Sequence, residues 1–149
     1  PKRYDITIKG YINSPLKYYF SDMGLRNARL NFRELELPRI MENIVYNELV
    51  MRGYNVDVGV VELYEQNNKG KSVLKKTEVD FVCEKSGKYK YIQVSYRLSS
   101  EKTLKREINP LLRIPDKYES ILITTENHDF SKDGVKHLNI IDFLCGNDV

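Results

Sequence analysis

The succession of hydrophobic patterns predicts an α/β fold, a mixed sheet with helices on its faces. Three observations carry that expectation. A stripe of helical spacing follows Pro38; two β-rich runs, Val79–Cys83 and Lys90–Tyr96, flank a glycine-containing loop; and Ser120–Thr125 is short, apolar and β-branched. A run of the last kind suits a strand covered on both faces. At 149 residues the chain is long enough for one ordinary domain and too short for two comfortable ones.

Residues 1–37 read as an N-terminal arm that packs on the core. Tyr4, Ile6 and Ile8 alternate with polar residues as a short strand, Lys17–Phe20 reads as a second, and Asp22-Met23-Gly24 signals a turn before a short helix. Pro38 then opens the clearest helix, since its missing N–H would be unpaired in a first turn anyway. Met41, Ile44, Val45 and Leu49, with Tyr46 beside them, form its inward stripe, and Gly53 is placed to end it. Residues 54–64 alternate as a strand, and polar Glu65–Lys76 reads as an exposed loop or hairpin tip. The two β-rich runs make a hairpin closed at Glu84–Lys88. Ser99 or Ser100 caps a helix with Leu104, Ile108, Leu111 and Leu112 facing inward, and Pro110 should kink or restart it. Val135–Leu138 adds a strand and Ile140–Leu144 a last helical turn. The expected sheet takes residues 54–64, 78–84, 89–96 and 120–125, covered by helices at 38–52 and 100–113.

Composition narrows the functional classes. Hydrophobic residues make up 41% and charged ones 30%, a balance that argues against disorder. No apolar window approaches a membrane span, and no signal sequence opens the chain. The chain starts at Pro1, which suggests a piece of something longer. Cys83 and Cys145 make no disulfide framework, which points to a reducing, cytoplasmic setting. Net charge is only +3, but Lys69–Arg113 carries twelve Lys/Arg against five Asp/Glu. Such a basic stretch, with Lys71, Lys75 and Lys76 at its start, is a hint of a phosphate-bearing partner, although a solvated surface explains it equally simply.

Several motifs dissolve on inspection. Gly70-Lys71-Ser72 imitates the tail of a P-loop, but its first glycine position is Glu65. His128 and His137 stand alone, without the further ligands zinc requires. Cys83 falls in a strand pattern and suits a core, and the eleven tyrosines fall mostly where packing is their ordinary role.

What remains is the hairpin. In Glu78-Val79-Asp80-Phe81, strand alternation puts Glu78 and Asp80 on one face and Val79 and Phe81 on the other. On the partner strand Gln93 and Ser95 share a face, opposite Ile92 and Val94. A carboxylate and an amide oxygen at the ends of paired strands suit a hard cation such as Mg²⁺. Glu42 adjoins the buried stripe of the first core helix, where an acid is costly unless paired or metal-bound.

These segments resemble one known domain. The resemblance rests on the helix Pro38–Leu49, Arg52-Gly53-Tyr54, Glu78-Val79-Asp80-Phe81 and Tyr91-Ile92-Gln93-Val94. It extends to Lys17-Tyr18-Tyr19-Phe20-Ser21-Asp22-Met23-Gly24-Leu25-Arg26-Asn27-Ala28 and to Gly134–Leu144. The domain is the one of unknown function at the C-terminus of prokaryotic AAA-type P-loop ATPases, regarded as a member of the PD-(D/E)xK nuclease-like superfamily. The resemblance implies a three-layer restriction-endonuclease-like fold over 38–149, with the ATPase module upstream in the same polypeptide. It implies Glu42 as the acid of the first core helix, Asp80 as the metal-binding acid, and Gln93-x-Ser95 in the place of (D/E)-x-K.

That last substitution matters. Glutamine offers a metal an oxygen without charge, and serine cannot replace a lysine beside the attacking water. Losing such a group typically costs about 10²–10³ in rate. Arg97, Lys105 or Arg106 would have to supply a relocated cation. Three functions therefore compete. The favoured one is a catalytically degenerate nuclease-like domain that binds nucleic acid or protein. The others are an active Mg²⁺-dependent nuclease with a relocated lysine, and a structural or oligomerisation domain of the ATPase. Mg²⁺ is the expected cofactor if there is one, held weakly by Glu42, Asp80 and Gln93. The expected partners are the upstream ATPase module, nucleic acid and a second copy of the chain, with no membrane.

Overall fold

The computed structural model describes residues 1–33, 36–66 and 72–146. Among the described residues seven strands form one sheet: β1 (Arg3–Asp5), β2 (Gly10–Ile12), β3 (Asn55–Gln66), β4 (Ser72–Lys85), β5 (Lys88–Ser95), β6 (Glu119–Thr124) and β7 (Val135–Asn139). Their order across the sheet is β2-β1-β3-β4-β5-β6-β7. β1 lies antiparallel to β2 and parallel to β3, while β4 is antiparallel to both of its neighbours, β3 and β5. β5, β6 and β7 run parallel. The helices that accompany them are α1 (Met23–Arg29), α2 (Leu37–Met51), α3 (Glu101–Leu112) and α4 (Ile140–Leu144).

Each sheet face has its own core. On one, Met41, Val45 and Leu49 of α2 and Phe143 of α4 pack on Phe81, Cys83, Ile92, Ile121 and Ile123. On the other, Ile108 and Leu111 of α3 pack on Val79, Val82, Tyr91 and Leu122. The run Ile121-Leu122-Ile123 is fully buried because its alternating side chains enter both cores. The result is a three-layer α/β domain, as the sequence predicts.

Four local expectations need correction. Lys17–Phe20 is not a strand; its backbone is tied to α2 instead, with Asn43 donating to Phe20 O and accepting from Phe20 N–H at 2.7 and 2.8 Å. The second strand of the arm is Gly10–Ile12. The polar stretch 65–76 is not a loop throughout. β3 and β4 continue to Gln66 and from Ser72, because cross-strand backbone pairing tolerates polar side chains on a ribbon solvated on both faces. Residues 67–71, and with them Lys71 and the P-loop imitation, lie outside the described residues. α3 runs through Pro110 without restarting. The proline removes one N–H close to the helix end, and its buried ring packs in return. Leu112, the last residue of α3, is exposed rather than inward.

An irregularity between β3 and β4 shapes the site. Gly59 of β3 pairs with Val79 and Asp57 with Val82, so two steps along β3 face three along β4. This bulge breaks the alternation expected for β4. Val79 and Phe81 therefore point to opposite cores rather than sharing a face. Gly59 is required opposite it, since a Cβ there would lie 2.9 Å from Ile6 Cδ1 and Val82 Cγ2.

Candidate functional site

The bulge opens a fork between β4 and β5. Their pairing runs from Lys85↔Lys88 to Phe81↔Ile92. At the next residues, side chains carry the connection. Asp80 N–H donates to Gln93 Oε1 at 3.3 Å, and Val94 N–H donates to Asp80 Oδ2 at 2.8 Å. Gln93 Nε2 in turn donates to Glu107 Oε2 of α3 at 3.3 Å. Arg106 holds Glu107 from its outer side, through two bonds of 3.1 and 2.8 Å to Oε1.

On the α2 side of the fork lies a second set of charges. Lys17 Nζ sits 2.6 Å from Glu42 Oε1 and 2.8 Å from Glu78 Oε1. Arg3 reaches the other oxygen of Glu78 at 2.8 Å, and Tyr19 OH donates to Glu42. The Tyr19 ring stacks on Tyr46 of α2 at 4.3 Å between centroids, which fixes the arm where Lys17 enters. The electrostatics follow from these neighbours. Burial pushes the Lys17 ammonium toward neutrality, but the Glu42 and Glu78 carboxylates outweigh it and hold its pKa above the ordinary value. Burial likewise opposes ionisation of Glu78, yet Lys17 and Arg3 leave its pKa lowered. Asp80 is pushed up to about 7, by burial first and then by the charge of Glu42, with Glu107 adding to it. Val94 N–H and Lys17 oppose that rise without cancelling it.

The residues singled out in the sequence fall into three groups. Glu42, Asp80 and Gln93 share this neighbourhood, through the field of Glu42 on Asp80 and the direct bond of Gln93. Ser95 is buried, and its hydroxyl donates to Arg97 O at 3.3 Å. Of the three candidate relocated cations, Arg106 reaches the fork, through Glu107. Arg97 lies over the Tyr96 ring at 5.4 Å, and Lys105 pairs with Glu101 on the exposed face of α3. Lys75 and Lys76 are exposed on the β3–β4 ribbon, where Lys76 pairs with Glu62 at 3.2 Å.

Sequence reasoning missed Lys17, Tyr19, Arg3 and Glu107. Glu107 had a signal: it stands three residues after Leu104 and four before Leu111, on the inward stripe itself. Lys17 had only an indirect one, the need of Glu42 for a partner.

The other polar candidates are structural. Cys83 is buried, and burial pushes its thiol up, away from nucleophilic use. His137 shares a 2.7 Å hydrogen bond with Thr124, and burial lowers its pKa; His128 is exposed.

Do these side chains fit Mg²⁺? Glu42 is engaged by Lys17 and Tyr19, Gln93 Oε1 by Asp80 N–H, and Asp80 is shifted toward its neutral form. Among the described residues, no group of three His, Cys, Asp or Glu is arranged to hold a metal. As placed, they do not fit the ion.

Comparison with known proteins places the chain in a family. A relative from Haemophilus influenzae (strain ATCC 51907 / DSM 11121 / KW20 / Rd), named "Uncharacterized protein", is 34% identical over 144 residues. The match covers 96% of this chain and 32% of the relative, so the chain spans about a third of its length. Among the described residues, no helix is long and apolar enough to cross a membrane. Residues 38–143, from the first turn of α2 into α4, match the family described as Domain of unknown function (DUF4143), and the chain belongs to that family.

Proposed function

We propose that this domain is a nuclease-like module without turnover, which serves a larger polypeptide by binding nucleic acid. One observation carries the first half. At the fork, where the resemblance expects a carboxylate and a lysine, Gln93 spends both ends of its amide on Asp80 N–H and Glu107, and Ser95 spends its hydroxyl on Arg97 O. Neither residue offers a charge to a scissile phosphate. The reaction that the resemblance implies uses an anchored metal cation and a fixed positive group beside the attacking water. The length of the Haemophilus relative supports a larger polypeptide, for which the resemblance suggests an upstream P-loop ATPase. Exposed Lys75 and Lys76 support a phosphate-bearing partner, contacted without sequence preference.

The test is restoration. Wild-type protein should not cut single- or double-stranded DNA with Mg²⁺ or Mn²⁺, whereas Gln93→Glu with Ser95→Lys, in a Lys17→Met background that releases Glu42 and Glu78, should gain metal-dependent cutting that Asp80→Ala abolishes. Cutting by the wild type that is lost in Asp80→Ala would overturn this reading. A second reading, an active nuclease with a relocated cation, is favoured by the anchoring of Arg106 on Glu107. It predicts wild-type cutting that disappears in Arg106→Ala.

A further inference from the structure

We propose that Lys17 is the resident cation of the acid cluster, occupying with its ammonium the role a divalent ion would otherwise fill. The inference deepens the proposed function, because it treats Glu42 and Glu78, the two carboxylates that Lys17 bridges, as a cation site closed from within.

The geometry is that of a bridging ion. One ammonium touches two carboxylates from different elements, Glu42 of α2 and Glu78 of β4, at 2.6 and 2.8 Å. Its charge also reaches the third acid, Asp80. The three side chains of the bridge are between 18% and 33% exposed, so water screens the contact incompletely. The ammonium is not a wandering surface group. Tyr19, two residues on, is stacked against Tyr46 and bonded to Glu42, and Phe20 is clamped by Asn43 and Asn47. Asn43 is 5% exposed, a buried side chain devoted to holding this segment. On the opposite flank Arg3 takes the second oxygen of Glu78. The arm thus delivers two positive charges to the acids of the core.

The consequences are chemical. A lysine cannot activate water or bridge phosphate oxygens as Mg²⁺ does, but it neutralises the acids that would otherwise repel a polyanion. A domain closed in this way is indifferent to divalent ions and remains compatible with a phosphate-bearing partner.

The experiment uses Mn²⁺ as probe, with calorimetric titration and thermal unfolding as readouts. Wild-type protein should show no saturable uptake and no Mn²⁺-dependent rise in Tm. Lys17→Met, which keeps the length of the side chain and removes its charge, should bind Mn²⁺ at least about tenfold more tightly, as losing a unit charge at contact distance implies. Adding Glu42→Gln should abolish the gain. Saturable wild-type uptake that Glu42→Gln removes would overturn the proposal, as would a folded Lys17→Met that takes up no Mn²⁺. Should Lys17→Met fail to fold, Lys17→Met with Glu78→Gln leaves one fewer bare charge, and its uptake or refusal of Mn²⁺ decides the same question. DNA cutting by these proteins is scored separately: wild-type cutting breaks the proposed function, whereas only Mn²⁺ uptake bears on Lys17.

Discussion

From Lys85↔Lys88 to Phe81↔Ile92 the β4–β5 hairpin is zipped by its own backbone, whereas from Asp80 and Gln93 onward the same two strands are joined by side chains. The zipped end draws its partners from within a dozen residues. The forked end recruits Glu107 from α3 and, across the sheet, Glu42 from α2 and Lys17 from the arm. A backbone ladder satisfies every N–H and C=O whatever the side chains are. At a fork each buried polar group needs a particular partner, and an unmatched one costs about 1–3 kcal/mol. The lesson is that one hairpin divides the labour: its zipped end holds the core, and its forked end keeps charged groups that the fold alone would not choose.

The largest expected effect tests the zipped end. Phe81 is its last paired residue, fully buried and packed near the rings of Tyr19 and Tyr46 at 5.7 and 6.0 Å. Phe81→Ala removes a whole ring from the α2-side core and should cost about 3–5 kcal/mol in urea unfolding. A loss below about 1 kcal/mol would mean that the site tolerates truncation like a surface position, and that the zipped end does not carry the core.

Next comes the fork itself. Asp80 has its pKa raised to about 7, against an unfolded value near the ordinary aspartate range. Below both values the carboxyl is protonated in either state and costs nothing. As pH rises from about 4 to about 7, the unfolded chain ionises before the folded one, so stability falls across that window and levels off above it. Asp80→Asn keeps an oxygen for Val94 N–H and removes the ionisation. It should therefore be more stable than wild type at pH 8, by an amount on the order of 2 kcal/mol, and lose that advantage at pH 4. Equal stability of the two proteins at both pH values would show that the fork imposes no electrostatic cost.

This contrast also explains what the sequence made legible. The helix after Pro38, the strand Ile121–Ile123 and the Glu84–Lys88 turn are local patterns, and they appear where expected. The sharing of a face by Val79 and Phe81 failed because a bulge depends on Gly59, a residue on another strand. Glu42, Asp80 and Gln93 were recognisable as residue types near one another in the fold. Lys17 was not, because it stands 61 residues from Glu78 and no periodicity connects them. Its segment is extended without being a strand, held by asparagine side chains of α2 rather than by a ladder. Local chemistry writes the zipped end, and tertiary recruitment writes the fork.

The smallest effect lies at the tip of the zipped end. Ser86 and Gly87 join the paired residues Lys85 and Lys88 with φ of 54° and 77°. Two successive positive φ values are those of a type I′ turn, whose twist matches the strands it connects. Glycine reaches that region without cost, but serine does so with its Cβ close to the following carbonyl. Asparagine is tolerated better there, and Asn-Gly is the favoured pair for this turn. Ser86→Asn should therefore stabilise the domain by about 0.5 kcal/mol, read as a small rise in the urea midpoint at unchanged slope. The gain should be the same at pH 6 and pH 8, because the turn lies at the far end of the hairpin from Asp80. Glu84 accepts from Gly87 N–H and titrates in the acid range, so the deciding comparison is pH 6 against pH 8, where only Asp80 of the two changes charge. A gain that varied there would show that the two ends are coupled.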